Sequence, residues 1–195
     1  QPGDFILGER SYRRFLENRR TGDERFLTDA QAATAYPERA AAALAHGVAG
    51  SSAGGEFPKF TASRVLDGVK VDVIVKFSGA DDSAAVRRWA DLLVCENLAL
   101  EALGHQLQVP AAQSAIRRYA GRTFLEVVRF DRHGEFGRSA VCTLASLNAA
   151  LAGSAFAPWP CVAQRLRAAG WLSAEDAARV ALVWWFGRLI GNTDM

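Results

Sequence analysis

A loop of small residues is the first part of this chain that could do chemistry, because it is suited to binding phosphate. The stretch "SSAGGEFPKF" contains Ser51, Ser52, Gly54 and Gly55, and Lys59 lies at its far end. Small residues let backbone N–H groups approach an anion closely. The sequence has neither GxxxxGK[ST] nor GxGxxG, so two common phosphate signatures are excluded. Taken alone, the loop also fits a plain surface loop.

Three charged residues further along the chain are the next candidates for chemistry. Lys76 lies in "VIVKF", and Asp194 follows the last apolar helix, where a carboxylate could orient an attacking hydroxyl. Glu96 falls within a helical apolar stripe. That stripe consists of Trp89, Leu93, Leu100 and Leu103. A carboxylate on an apolar face is costly unless it is paired. We therefore expect Glu96 to need a cation, and Lys76 is the nearest candidate.

The elements that position these residues follow from hydrophobic periodicity. Residues 69–77 alternate strictly between apolar and polar, which predicts a strand with one face in a core. Residues 84–103 repeat with a helical period. "SAIRRYAG" and "RTFLEVVRF" indicate two strands joined at Ala120 and Gly121.

Helices are predicted on either side of the strands. Residues 1–50 are rich in arginine and alanine, and Pro37 can open a second helix there. The last helix begins with a capping box at Ser173 and Asp176. The order predicts an α+β fold with a helical flank at 1–50, a strand-rich part with the phosphate loop at 51–132, and the start of a helical part at 133–195.

Composition sets broad limits on function. The chain has 195 residues and a net charge of +2, which does not by itself indicate nucleic-acid binding. No apolar run is long enough to span a bilayer. Cys95, Cys142 and Cys161 lack zinc-type spacing, so we expect buried, reduced thiols, no metal site and a cytoplasmic location. The start at Gln1 and the end at Met195 suggest a piece of a longer protein.

A small-residue loop, a strand lysine and a helical glutamate follow the order of a protein-kinase small lobe. The chain resembles the HipA-like serine/threonine kinases, toxins and toxin-related proteins with a protein-kinase-like fold. The matching stretches are "SSAGGEFPKF", "VIVKF", "ENLALEALG", "VVRFDR" and "LIGNTDM". They extend from about residue 47 to 195, and "GNTDM" is most similar to the YjjJ-like branch. The resemblance implies an antiparallel small-lobe sheet with one helix, followed by the first helices of a large lobe.

The resemblance also implies an activity and its partners. It implies transfer of phosphate from ATP, with Mg²⁺, to a serine or threonine hydroxyl of a protein. Ser51 or Ser52 would be the autophosphorylated residue of the loop. An antitoxin-like protein is a further expected partner, and DNA could be contacted through that partner or the N-terminal region. No membrane partner is expected.

Individual positions receive roles from the same resemblance. The loop at 51–59 and Lys76 would contact the ATP phosphates, Glu96 would hold Lys76, and Asp194 would be the catalytic aspartate. The adenine-binding connector would consist of Val128, Arg129 and Phe130.

The chain departs from the family pattern in ways that leave alternatives open. Val128 replaces a family glutamate, although Glu126 lies two residues earlier, and "CEN" reverses the family's Asn-Glu order. The histidine and asparagine that should follow Asp194 are absent, so residues 1–195 alone are not expected to catalyse transfer. A pseudokinase or a DNA- or antitoxin-binding module is the first alternative. A small-molecule kinase of the aminoglycoside type is the second.

Overall fold

The computed structural model describes residues 6–21, 26–45, 58–134, 136–152 and 157–193, without the side chains of 18–21 and 152. Within this part the chain forms two compact units, residues 1–140 and 141–195. We call them the first and the second unit. Ser51, Ser52, Gly54, Gly55 and Asp194 lie outside the described residues.

The first unit combines helices with a five-stranded sheet. Its helices are α1 (Glu9–Thr21), α2 (Asp29–Ala45) and α3 (Ala84–Glu101), the last continued by a π-helical turn at Ala102–Gln106. Its strands are β1 (Phe26–Leu27), β2 (Lys59–Leu66), β3 (Val69–Phe77), β4 (Ser114–Tyr119), β5 (Arg122–Val128), β6 (Arg132–His133) and β7 (Gly137–Arg138). The last two form a separate hairpin.

The main sheet has the strand order β1-β2-β3-β5-β4 and is mixed, not antiparallel as expected. β1 runs parallel to β2 because α2 crosses between them, whereas the other neighbours pair antiparallel. The turn at Ala120 and Gly121 has positive φ at both residues, as the predicted hairpin requires. Asp67 and Gly68 make the same kind of turn between β2 and β3.

Helix α2 covers one face of this sheet. Its stripe of Ala32, Tyr36 and Ala40 packs against a buried cluster on the strands. The strand side of that cluster consists of Ala62, Val73, Val75, Phe77 and Phe124. The predicted flank at residues 1–50 therefore shares its core with the sheet.

The expectation that Pro37 opens this helix is wrong. The helix begins eight residues earlier, at Asp29, and Pro37 lies inside it. Its start is a capping box: the Gln31 amide donates to Thr28 Oγ1 at 3.4 Å, and the Thr28 amide donates to Gln31 Oε1 at 2.8 Å. Local capping and the burial of Tyr36 outweigh the hydrogen bond that a proline removes.

A charged network is buried on the α2 face. Glu126, whose side chain is 2% exposed, accepts hydrogen bonds from Arg64 Nε at 2.7 Å and Arg117 Nε at 3.0 Å. The Tyr36 hydroxyl donates to the same carboxylate. Arg64, fully buried, also pairs with the largely exposed Asp29. The buried carboxylate is thus paired and hydrogen-bonded, as burial of a charge requires.

The second unit contains α4 (Leu144–Leu147), a π-helical turn (Asn148–Ala152), α5 (Trp159–Ala168) and α6 (Ala174–Leu189). Ser173 caps α6 as predicted, since the Asp176 amide donates to Ser173 Oγ at 3.0 Å. Val162, Ala163, Leu166 and Ala177 are its buried apolar residues. Among the described helices, none combines the length and apolarity that a membrane crossing needs.

A further difference from expectation concerns the cysteines. Cys95, Cys142 and Cys161 are unpaired but exposed, so the prediction of buried thiols is wrong. The first unit extends to residue 140 and so includes the β6–β7 hairpin. The β6–β7 hairpin stays with the first unit because Phe136 packs edge-on against Phe15, with ring centroids 6.3 Å apart.

Glu126→Gln should lower the free energy of unfolding of the first unit by about 3–5 kcal/mol, because it removes the buried carboxylate that pairs with both Arg64 and Arg117. Hydrogen exchange of the β3 and β5 amides measures this unit separately. Asp29→Asn is the matched control, since that carboxylate is 69% exposed, and it should cost at most about 1 kcal/mol. Equal costs for the two variants would contradict the network's role.

Tyr36→Phe should alter the alkaline stability. Burial, then the hydrogen bond to Glu126, raises the pKa of Tyr36 well above its ordinary value. Unfolded tyrosine ionises near pH 10, so the stability from this group is complete below about pH 10 and is lost as the pH rises further. Urea midpoints of the wild type should therefore fall more steeply above about pH 10 than those of the variant. If the urea midpoints of the wild type and the variant fell equally with pH, the Tyr36 phenol would ionise as readily in the folded protein as in the unfolded chain.

Candidate functional site

Lys76 and Glu96 form an ion pair at the centre of the candidate site. Lys76 Nζ lies 2.7 Å from Glu96 Oε1 and 2.8 Å from Oε2, so it donates to both carboxylate oxygens. The two side chains are 26% and 35% exposed, so the pair is accessible from solvent. The cation that pairs with Glu96 is therefore Lys76, as the sequence analysis expected.

Strand alternation places Lys76 on the face opposite the buried network. Lys76 pairs with Leu125, whereas the adjacent Val75 pairs with Glu126. Neighbouring residues of a strand point to opposite faces, so Glu126 and Lys76 lie on different sides of the sheet. Glu126 is held instead by Arg64 and Arg117 in the buried network.

Helix α3 positions Glu96, although not as the sequence suggested. Ser83 caps the helix by accepting a hydrogen bond from the Val86 amide. The buried residues are Leu93 and Asn97, four apart, whereas Trp89 is 40% exposed. Glu96 thus lies at the margin of the buried face and not at its centre, because one residue along a helix turns the side chain by about 100°. Its partial exposure lowers the cost of the charge.

Asn97 anchors this helix to the edge of the sheet. Its Oδ1 accepts from Ser114 Oγ of β4 at 2.9 Å, and its Nδ2 donates to Glu101 Oε1 at 2.7 Å. A buried amide that satisfies both groups fixes the rotation of the helix about its axis. The position of Glu96 one residue earlier follows from that rotation.

Lys59 lies directly opposite Lys76 in the β2–β3 ladder. Residues paired in this way project from the same face, with Cβ atoms about 5 Å apart. Two like charges in this arrangement repel each other unless an anion lies nearby. The Phe77 amide donates to the Pro58 carbonyl at 3.3 Å, so the chain enters β2 beside Lys76. The structure therefore brings together Lys59, Lys76 and Glu96.

The predicted adenine connector begins at Val128, the last residue of β5. The amides of Val128 and Arg129 are already used, donating to Gln113 O at 2.8 Å and to Asp72 O at 2.9 Å. The Arg129 guanidinium binds Asp131, with Nε–Oδ1 at 2.9 Å and Nη2–Oδ2 at 2.7 Å. Phe130 is 72% exposed. Of the predicted connector residues, Phe130 therefore has the side chain best placed for a ligand.

Sequence reasoning missed the buried network and an arginine-lined groove in the first unit. The network had a local signal, because Arg64 and Glu126 interrupt apolar alternation in their strands. The groove had no local sequence signal, because its residues come from separate segments of the chain. In the part of the chain that the structure describes, no cluster of three or more His, Cys, Asp or Glu side chains could hold a metal ion.

Comparison with known proteins gives one informative similarity. The chain is 33% identical over 194 residues to the protein named Toxin YjjJ of Escherichia coli (strain K12). The alignment covers 99% of this chain and 43% of that protein, so the chain spans less than half the length of the relative. No protein-family model and no solved structure matches the chain. Nearly the whole chain is thus related in sequence to a protein named as a toxin.

Proposed function

We propose that this chain carries the nucleotide-binding part of an ATP-dependent serine/threonine protein kinase of the HipA-like type, with a toxin-related role. The observation that carries the proposal is the accessible Lys76–Glu96 ion pair with Lys59 opposite it. A strand lysine held by a helical glutamate is the device with which protein kinases hold the phosphates of ATP. The similarity to a toxin supports the toxin-related part.

The ion pair leaves Lys76 able to bind a ligand. A lysine ammonium has three N–H donors, and Glu96 accepts from it with two oxygens. A third donor can therefore reach a phosphate oxygen while the carboxylate keeps the side chain in place. Lys59 would add a second positive charge from the neighbouring strand, which the anionic phosphates would offset.

The connector lies at a suitable separation for the other end of ATP. Arg129 joins β3 through Asp72, four residues before Lys76, which corresponds to about 13 Å along the strand. An extended nucleoside triphosphate can bridge that distance. The exposed ring of Phe130 would then stack on the base, since the guanidinium of Arg129 is held by Asp131.

The catalytic and regulatory parts of the proposal rest on the resemblance. Asp194 would orient the hydroxyl of a serine or threonine in a protein substrate. Ser51 or Ser52 would accept phosphate and thereby switch off the enzyme. Mg²⁺ would neutralise charge on the transferred phosphoryl group. Among the described residues, Lys59, Lys76 and Phe130 would hold and orient ATP.

Lys76→Met should weaken ATP binding by about tenfold or more, because it removes a charge-assisted contact worth about 1.5–3 kcal/mol. Calorimetric titration with ATP measures the change. Lys70→Met is the matched control, since Lys70 lies on the same strand and face but pairs with Val65. It should leave the affinity unchanged within about twofold. Equal losses in both variants would contradict a specific role for Lys76.

Incubation of the full-length protein with Mg-ATP should add phosphate at Ser51 or Ser52, located by peptide mass spectrometry. Asp194→Asn should abolish the addition while ATP still binds, because the loss concerns orientation of the hydroxyl. ATP binding without phosphate on any serine or threonine of the wild type would favour a pseudokinase.

A further inference from the structure

A second candidate site is a groove in the first unit, and five of its 14 described lining residues are arginines. Its cavity volume is about 590 Å³. The arginines are Arg14 of α1, Arg39 of α2, Arg129 after β5, Arg132 of β6 and Arg138 of β7. Asp72 is the acidic side chain among its described lining residues. The balance of charge on the described walls is therefore strongly positive.

The fold holds several of these cations close together. Arg132 and Arg138 lie directly opposite each other in the β6–β7 hairpin, where like charges repel. Arg129 and Arg132 share the carboxylate of Asp131, at 2.7 Å and 2.9 Å. Burial, then the charges of Arg129 and Arg138, lowers the pKa of Arg132. A ligand anion would offset this repulsion.

The walls of the groove also suit phosphate chemically. Guanidinium groups bind phosphate oxygens through two parallel N–H donors, and hydroxyls can add further hydrogen bonds. Ser11, Thr61 and Ser63 lie in the lining. The hydroxyl of Ser63 donates to Asp72 Oδ1 at 2.5 Å, which directs that carboxylate towards β2.

The depth of the groove favours a compact ligand. The side chains of Arg129 and Arg132 are 10% and 8% exposed, so a broad, rigid surface such as duplex DNA would not reach them. Arg14 is exposed, and Arg39 is half-buried with Nη1 donating to the Thr61 carbonyl at 3.4 Å. The guanidiniums thus extend from the mouth of the groove to its floor.

We propose that this groove binds the phosphate group of a small phosphorylated molecule, at a site separate from Lys76. The Ser63–Asp72 pair lies four residues from the Lys59–Lys76 pair on the same two strands, which is about 13 Å. The site goes beyond the proposed kinase function, although it shares Arg129 and Asp72 with the adenine end of the proposed ATP site. In the groove, arginine guanidiniums would bind the phosphate. In the proposed ATP site, the phosphate ligand is the Lys76 ammonium, which Glu96 holds in place.

Calorimetric titration with pyrophosphate tests the proposal in the full chain carrying Lys76→Met, so that the kinase-type site contributes little. Adding Arg14→Ala and Arg39→Ala should weaken pyrophosphate binding by about tenfold or more. Neither residue belongs to the Asp131 pairs, so the fold should persist. The matched control adds Arg88→Ala and Arg118→Ala, two exposed arginines elsewhere in the first unit, and should change the affinity by less than about twofold.

Arg138→Lys gives a second test that keeps the charge. It should also weaken binding, because an ammonium does not reproduce the two-pronged contact of a guanidinium. Loss of pyrophosphate binding through Lys76→Met alone, equal weakening in both double variants, or tighter binding of duplex DNA than of pyrophosphate at equal salt would overturn the proposal. Failure of the kinase proposal would appear separately, as unchanged ATP affinity in Lys76→Met.

Discussion

The first unit depends on one buried charge, the carboxylate of Glu126. A carboxylate removed from water needs cations and donors around it, and removal of one partner of such a pair is strongly destabilising. Arg64 of β2, Arg117 of β4 and Tyr36 of α2 supply them from three separate elements. Arg64 also donates to the Leu27 carbonyl at 2.6 Å, which attaches β1. The network therefore specifies how the N-terminal segments join the sheet.

The same network determines which face remains available for a ligand. Because side chains alternate along a strand, Val75 and Glu126 point to the face that α2 covers. Lys76 and Leu125 point to the opposite face of the sheet. Helix α2 closes the first face with apolar and aromatic contacts. The second face is covered in part by α3, which leaves the Lys76 ammonium partly exposed beside its glutamate. The buried charges of the network and the Lys76–Glu96 pair of the proposed ATP site are thus separated by the thickness of one sheet.

Local signals were readable from the sequence, and long-range ones were not. The strand at 69–77, the turn at Ala120–Gly121 and the cap at Ser173 depend on neighbouring residues, and each was predicted. The true start of α2 was missed because Pro37 is a strong local signal that burial of Tyr36 overrides. The pairing of Lys76 with Glu96 followed from family order, whereas the arginine groove combines residues more than 100 positions apart.

Paired like charges are the feature that the two candidate sites share. Lys59 faces Lys76 in the sheet, and Arg132 faces Arg138 in the hairpin. In each pair one cation is already held by a carboxylate, Lys76 by Glu96 and Arg132 by Asp131. An anion that binds only the folded state stabilises it by an amount that grows with the logarithm of the ligand concentration once that concentration exceeds the dissociation constant. Anionic ligands at the two proposed sites would therefore stabilise the first unit.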